Sequence, residues 1–151
     1  MATKIYIGAD HNGFERKAQL TEYLQRSGYE VVDEGDVSLQ PEDDFPQFAS
    51  RVVHAMREDG DHEARGVLIC GSGQGMCMAA NRFKGIRAAL AYDQEEARTA
   101  RNDDDSNVLC LSSRVLDFDQ TVSVVHTWLM TPFAGANRFK RRIQELDELG
   151  G

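Results

Sequence analysis

Short apolar runs alternate along this chain with longer segments in which apolar residues recur at helical spacing. Apolar runs of about four to eight residues bounded by turn residues are typical of buried strands, and apolar residues every three or four positions are typical of helices. The pattern predicts strands at 4–9, 29–33, 67–70, 86–91 and 107–111. It predicts helices at 13–27, 48–57, 76–83, 94–101, 118–130 and 137–149.

This regular alternation of strand and helix is typical of βαβ units, which build a parallel sheet with helices on both faces. We therefore predict one α/β domain over residues 1–151, a Rossmann-like three-layer sandwich around a five-stranded parallel sheet. Ligands of such folds bind beyond the carboxyl ends of the strands, where the strand order reverses. Residues that directly follow a predicted strand are therefore the first candidates for function.

Composition narrows the possible partners and the compartment. The chain has 151 residues, and its 17 basic and 25 acidic side chains give a net charge of −8. This acidic balance argues against nucleic acid and against anionic membranes as partners, although a locally basic pocket can still bind an anionic substrate. The three cysteines include no Cys-x-x-Cys pair, which argues against a disulfide framework or a zinc site. With no signal-peptide pattern and no apolar stretch of membrane length, we expect a cytoplasmic protein.

A glycine-rich turn follows the third predicted strand and is the most specific of the candidate motifs. Gly71, Gly73 and Gly75 alternate along it, so that backbone N–H groups can approach an anion next to a helix N-terminus. The turn matches neither a Walker A loop nor the G-x-G-x-x-G fingerprint. Its simplest alternative role is a tight strand–helix turn with no ligand.

The polar groups of this turn have a chemical and a structural interpretation. Cys70 ends a buried strand and faces the turn, where a helix N-terminus favours a thiolate that could act as base or nucleophile. The alternative is a small core residue, which is the interpretation we give to Cys77 and Cys110. Ser72 could relay a proton or cap the following helix.

Charged side chains at three other places complete the candidate set. Asp10 and His11 follow the first strand, where a carboxylate suits a sugar hydroxyl and an imidazole suits a phosphate or a proton transfer. Their alternatives are a helix cap for Asp10 and simple exposure for His11. Arg138 and Arg142 share one face of the last predicted helix and together suit a phosphate. The alternative is a solvated basic helix. We also expect this C-terminal helix, about 137–149, to dock on a partner subunit.

The acidic run 103–105 precedes the fifth predicted strand and therefore lies at the amino edge of the sheet, away from the pocket of its own chain. A run of this kind is usually a solvated loop. If it is functional, it serves the site of a neighbouring subunit.

In combination, these segments resemble the family of B-type ribose-5-phosphate isomerases, which also includes galactose-6-phosphate isomerase subunits. The resemblance spans nearly the whole chain. It is carried by GADHNGF (8–14), DDFP (43–46), ICGSGQGMCMAANRFKGIRAAL (69–90), DSNVLCLSSRV (105–115) and the pair Arg138 and Arg142.

The resemblance implies an aldose–ketose isomerase of a small sugar phosphate, working through a cis-enediolate without metal or organic cofactor. It also implies a homodimer or tetramer with active sites at the subunit interface. Cys70 would be the base that moves a proton between C1 and C2, as in family members that lack a glutamate base at the position of Met76. Ser72 would handle the oxygen protons, and the N–H groups of 71–75 would stabilise the negative oxygen. The expected substrate and phosphate ligands are His11, Gly71, Gly73, Gly75, Asp44, Asp104, Arg114, Arg138 and Arg142, with Asp10 holding sugar hydroxyls or helping to open the ring.

Two departures from the family pattern bear on the substrate. Asp103 stands where the family has its ring-opening histidine, and Phe45 stands where it has a tyrosine. Asp103 could replace the imidazole as the catalytic proton-transfer group, most of the activity could be lost, or the substrate could need no ring opening, as for a tetrose 4-phosphate. Ribose 5-phosphate is the default substrate. The alternatives are another pentose, tetrose or hexose phosphate, a catalytically silent phosphosugar-binding subunit, and more distantly a flavodoxin-type nucleotide-binding module.

Overall fold

A computed structural model describes residues 3–150 of the chain. Strands and helices alternate from the first strand to the fifth helix, and a sixth helix follows directly. The elements are β1 (Lys4–Ala9), α1 (Phe14–Arg26), β2 (Glu30–Asp33), α2 (Phe45–Asp59), β3 (Arg65–Cys70), α3 (Gln74–Ala80), β4 (Ala88–Leu90), α4 (Gln94–Asp104), β5 (Val108–Ser112), α5 (Phe118–Met130) and α6 (Asn137–Asp147). In the span 3–150, no helix combines the length and apolar character that crossing a membrane requires.

The five strands form one parallel sheet in the order β2-β1-β3-β5-β4. The chain starts near the middle of the sheet, moves outward to β2 and then crosses back to β3 on the other side of β1. The strand order therefore reverses between β1 and β3, and the gap beyond their carboxyl ends is where this architecture binds ligands. The predicted five-stranded parallel sheet is confirmed.

Two apolar cores lie on opposite faces of the sheet, because successive side chains of a strand point to opposite sides. In β3, Val67 and Ile69 belong to the core on the face of α1, α4 and α5, whereas Leu68 and Cys70 belong to the core on the face of α2 and α3. Trp128 of α5 is fully buried, and its indole N–H donates to the Ser106 hydroxyl at 2.7 Å. The predicted three-layer arrangement is therefore present.

Two segments that lie outside the predicted helices are helical. Phe45 and Pro46 lie in the first turn of α2, where proline costs no hydrogen bond. The prediction of a solvated loop at 103–105 is wrong. Asp103 and Asp104 form the last turn of α4, and Asp105 caps the helix with φ 48°. Arg101 explains this ending, since its guanidinium donates to the Asp105 carboxylate at 2.8 Å and to the carbonyl of residue 106 at 2.6 Å.

A buried lysine fixes the start of the loop between β2 and α2. Periodicity predicts Ala18 near the buried face of α1, but Ala18 is exposed and Lys17 is buried. The Lys17 ammonium donates to both carboxylate oxygens of Asp33 at 2.7 and 2.8 Å, and to the carbonyl of Asp36 at 2.7 Å. This three-way contact ties α1 to the loop that continues toward the carboxyl edge of the sheet.

Candidate active site

Asp10 closes a tight turn at the carboxyl end of β1. One oxygen of its buried carboxylate accepts the backbone N–H groups of Asn12 at 3.0 Å and Gly13 at 3.3 Å. Burial raises the pKa of this carboxyl group, and the two N–H donors oppose the shift. Asp10 does not cap α1, whose N-cap residue is Gly13 and which has no side-chain cap. The group therefore shapes the turn and remains beside the switch point.

The turn after β1 lies directly against β3. A β-carbon on Gly13 would be only 2.6 Å from the Ile69 carbonyl oxygen and 2.7 Å from the Ile69 Cγ2 atom. The Asp10 N–H also donates to that same carbonyl at 3.3 Å. Only glycine permits this approach, which brings the polar residues after β1 next to Cys70 at the end of β3.

The glycine-rich turn holds the Cys70 thiol at this edge. Cys70 is 5% exposed, and its sulfur accepts the N–H of Gly73 at 3.1 Å. Gly73 adopts φ 78°, a left-handed conformation that favours glycine, immediately before α3 begins. The Ser72 hydroxyl accepts the N–H of Gln74 at 3.2 Å, so its side chain stabilises the start of α3, and its role as a proton relay stays a prediction.

Residues at the end of β5 and after β4 anchor carbonyl oxygens of this turn and of the turn after β1. The Ser112 hydroxyl and the Arg114 N–H both donate to the Gly71 carbonyl, at 2.6 and 3.1 Å. The Ser113 hydroxyl donates to the carbonyl of Asn12 at 2.7 Å, and the Tyr92 hydroxyl donates to that of Ser72 at 3.1 Å. Segments after β1, β3, β4 and β5 therefore converge, as their positions in the sequence predict. The Arg114 side chain is exposed at this edge.

His11 is held by an aspartate that sequence reasoning did not single out. One oxygen of Asp43 accepts the backbone N–H of His11 at 2.9 Å and lies 2.8 Å from its ring Nδ1 atom. The hydrogen bond to Asp43 raises the pKa of the His11 imidazole. Asp44, which we predicted as a ligand residue, is instead exposed as the N-cap residue of α2. The two adjacent aspartates in DDFP were the only sequence signal for Asp43. They do not show which of the two carboxylates points toward His11.

The ligand atoms of Asp10, His11 and Asp43 lie within 4.8 Å of one another, close enough in principle to hold a cation. The hydrogen bonds favour a different description of this group. One oxygen of each carboxylate already accepts two N–H groups, counting the ring nitrogen of His11. The three side chains thus form an internal hydrogen-bond network, in which the remaining carboxylate oxygens suit a hydroxyl donor and the Nε2 atom of His11 suits an anion.

Phe45 closes the site from the α2 side. Atoms of its ring would lie 2.7 and 2.8 Å from a β-carbon placed on Gly75 in the first turn of α3. The ring therefore packs directly on the backbone of the glycine-rich segment. Phe45 remains 37% exposed, so the other part of its surface borders the open edge.

Four predicted site residues lie at the opposite edge of the sheet. Asp103 and Asp104 end α4, and the Asn102 carbonyl accepts the N–H of Ala134 at 3.0 Å on the way to α6. Burial and Asp103 raise the pKa of Asp104, and Arg142 of α6 opposes that shift. Arg138 and Arg142 are exposed. One chain therefore does not bring these four residues to Cys70, in agreement with the predicted amino-edge position of the acidic run.

Comparison with known proteins identifies the family. The model of the Ribose/Galactose Isomerase family matches residues 5–146. This chain belongs to the ribose/galactose isomerase family. The crystal structure of a ribose 5-phosphate isomerase from Thermotoga maritima is 40% identical, with a TM-score of 0.92, and the match covers 99% of this chain and 100% of that one.

Other members of the ribose/galactose isomerase family agree. Ribose-5-phosphate isomerase B from Mycoplasma genitalium, solved with bound ribulose-5-phosphate, is 39% identical, with a TM-score of 0.92 and coverage of 97% of this chain and 95% of that one. Ribose-5-phosphate isomerase B of Mycobacterium leprae is 35% identical over 145 residues, which is 96% of this chain and 88% of the relative. The resemblance drawn from the sequence is thus confirmed at the level of the family.

Proposed function

We propose that this chain interconverts ribose 5-phosphate and ribulose 5-phosphate through a cis-enediolate. The observation that carries the proposal is the buried Cys70 thiol, held by the Gly73 N–H at the switch point between β1 and β3. Relatives named ribose-5-phosphate isomerase B over nearly the full chain support it, as does the M. genitalium structure with bound ribulose-5-phosphate. Aldose and ketose are isomers, so the reaction balances with proton transfers alone.

Each proton transfer has a group at this edge of the sheet. The Cys70 thiolate takes the proton from C2 of the aldose and returns it to C1, and the reverse direction uses the same steps. The Ser72 hydroxyl passes a proton between the two sugar oxygens. Backbone N–H groups of the turn 71–75, other than those that donate to Cys70 and Ser72, stabilise the negative charge that develops on oxygen. Asp10 holds a sugar hydroxyl beside them.

The phosphate is bound by His11 and by arginines of two different subunits. Arg114 is exposed at the same edge as Cys70. Arg138 and Arg142 lie on α6, away from that edge, so a second copy of the chain must supply them. We therefore propose a homodimer, alone or paired into a tetramer, in which α6 and the acidic end of α4 complete the site of the partner. Asp103 and Asp104 would then face the sugar from the second subunit.

A complementation experiment tests the shared site. Cys70→Ala and Arg142→Ala variants are each expected to be nearly inactive, but a refolded equimolar mixture should recover about one quarter of wild-type activity. Random pairing makes half of the dimers mixed. In a two-fold symmetric mixed dimer, one site carries both substitutions and the other carries neither, so one of the two sites stays intact. The measurement is ribulose 5-phosphate formation.

The matched control for that experiment is a mixture of Cys70→Ala and Ser72→Ala. Both residues lie on the same turn, so every site in a mixed dimer still carries one substitution. We expect no recovery from this control mixture. Equal recovery in both mixtures, or none in the first, would contradict the shared site.

Turnover of a set of sugar phosphates tests the proposed substrate. Ribose 5-phosphate is expected to be converted faster than erythrose 4-phosphate, allose 6-phosphate and galactose 6-phosphate. Asp103, which stands in place of the family's ring-opening histidine, favours a tetrose phosphate as second candidate, since a tetrose 4-phosphate cannot close a furanose ring. Faster turnover of erythrose 4-phosphate would replace ribose as the substrate. Binding of every sugar without turnover would indicate a silent subunit.

We propose a cytoplasmic location because the three cysteines form no disulfide bond with one another. Cys70, Cys77 and Cys110 are free thiols, and two of them are buried. A catalytic thiol must also stay reduced to accept a proton. Both features fit a reducing compartment.

A further inference from the structure

We propose that Asp43 is a positioning residue for His11, fixing its ring so that Nε2 faces the substrate phosphate. This inference rests on the proposed function, because the anion is taken to be the phosphate of the sugar. The observation behind it is that a single carboxylate oxygen contacts His11 twice, at the backbone N–H and at ring Nδ1. His11 itself is one residue after Asp10, at the switch point of the sheet.

The geometry of the two contacts determines the orientation of the ring. A hydrogen bond to Nδ1 alone would leave the imidazole free to swing with the backbone. The second bond, from the His11 N–H to the same oxygen at 2.9 Å, ties the backbone to the same point. With Nδ1 facing Asp43, the remaining ring nitrogen is Nε2. A third of the His11 side chain is exposed, whereas only 7% of the Asp43 side chain is. The accessible part of the pair is therefore the imidazole.

The charges around the ring favour its cationic form. Asp43 faces it from the loop between β2 and α2, and Asp10 faces it from the end of β1. The hydrogen bond to Asp43 is the largest cause of the raised pKa of His11, while loss of solvent opposes it. A raised pKa means that the protonated imidazole persists to higher pH than in an isolated histidine. Because Nδ1 and the backbone N–H both contact Asp43, the ring presents its Nε2–H donor and a positive charge, which suit a phosphate dianion.

The loop that carries Asp43 is anchored on both sides. Lys17 holds its beginning through the Asp36 carbonyl at 2.7 Å. The N–H of Ala9 donates to the carbonyl of Gly35 at 3.2 Å, and the N–H of Asp43 donates to that of Gln40 at 3.1 Å. Phe45 fixes the far end against Gly75. Asp43 thus approaches His11 from a supported backbone, which a positioning role requires.

The test separates the charge of Asp43 from its shape. In Asp43→Asn the amide oxygen can still accept both N–H groups, but the negative charge is lost. Glu42→Gln is the matched control, because Glu42 is exposed in the same loop and lies outside the site. The first readout is the NMR titration of the His11 ring, assigned with a His11→Gln variant. Sulfate, which keeps its charge between about pH 5 and pH 9, is the anion probe.

We expect the wild-type His11 ring to titrate above the ordinary histidine pKa of about 6.5. In Asp43→Asn the pKa of His11 should fall, and sulfate should bind about tenfold more weakly near neutral pH. KM for ribose 5-phosphate should rise about tenfold while kcat changes less than about threefold, and KM should begin to rise at lower pH than in the wild type. Glu42→Gln should match the wild type in every readout.

The wild-type titration keeps the proposal testable even if Asp43→Asn fails to fold. A wild-type His11 that titrates at or below the ordinary value would overturn the proposal. An Asp43→Asn variant with unchanged His11 titration and unchanged sulfate binding would do the same. Absence of turnover on every sugar, with the expected titration and sulfate results, would remove the proposed function and leave Asp43 as the positioning residue of an anion site.

Discussion

Replacing Cys70 with alanine is expected to lower kcat for ribose 5-phosphate by about 10²- to 10⁴-fold, the range that a positioned general base contributes. The thiol is 5% exposed, and its sulfur accepts one N–H bond from the turn, so the variant loses the base while the turn keeps its other contacts. Cys70→Ser should be almost as slow, because a hydroxyl gives up its proton far less readily than a thiol. The measurement is initial-rate formation of ribulose 5-phosphate, with thermal unfolding recorded on the same samples.

The other two cysteines supply the control. Cys77 lies on α3, and Cys110 is completely buried in β5, where burial raises its pKa well above the usual thiol value. Cys77→Ala should retain most of the wild-type rate, because its thiol donates to the Ala88 carbonyl at 3.4 Å and takes no part in the proposed chemistry. Activity lost equally in Cys70→Ala and Cys77→Ala would show that the loss is structural. An active Cys70→Ala variant would assign the base elsewhere.

Gly13→Ala is expected to lower the free energy of unfolding by about 3 kcal/mol, at the upper end of overpacking substitutions. The added methyl group would lie 2.6 Å from the carbonyl oxygen and 2.8 Å from the carbonyl carbon of Ile69. These are backbone atoms near the carboxyl end of β3, so no rotamer change can relieve the contact, and the turn after β1 must move away from β3. Urea denaturation at fixed protein concentration measures the effect.

Gly71→Ala is the comparison for that measurement. The atom nearest to its new methyl group would be the Asn12 side-chain nitrogen at 3.4 Å, an ordinary contact distance that a flexible amide tolerates. Its unfolding free energy should stay within about 1 kcal/mol of the wild type. Equal destabilisation at both positions would mean that the close approach of the turn after β1 to β3 is not what requires glycine at position 13.

The sheet was predictable because its strands lie in short apolar runs that are separated by turn residues and helices. The bounds of β1 and α5 match their predictions, while β4 is only three residues long against six predicted. Helix ends were harder to predict, since they depend on distant partners. The end of α4 is stabilised by Arg101 contacts to residues 105 and 106, and the acidic letters alone suggest a solvated loop. Lys17 is buried for the same kind of reason, because Asp33 and Asp36 meet it across the fold.

The site residues also fall into those that the sequence could place and those that it could not. Residues that end or directly follow strands, such as Cys70 and Asp10, could be placed from the sequence, because parallel strands bring their carboxyl ends to one edge. Asp43 could not, since its contact with His11 depends on the path of a loop that carries no period. The position of Arg142 follows from the fold, but the site that it serves depends on a second copy of the chain. A single sequence contains the residues of such an interface but does not show how two copies of the chain pack together.

The packing of Phe45 on Gly75 links two positions that lie thirty residues apart. A β-carbon at position 75 would meet three carbons of the aromatic ring within 3.2 Å, so the two positions form one steric unit. Variation at position 75 should therefore be accompanied by a smaller side chain at position 45. A mutant library that enlarges position 75 alone must displace the ring of Phe45 in every variant. A library that combines alanine at position 75 with leucine or valine at position 45 changes the shape of the site while the steric contact between the two positions is avoided.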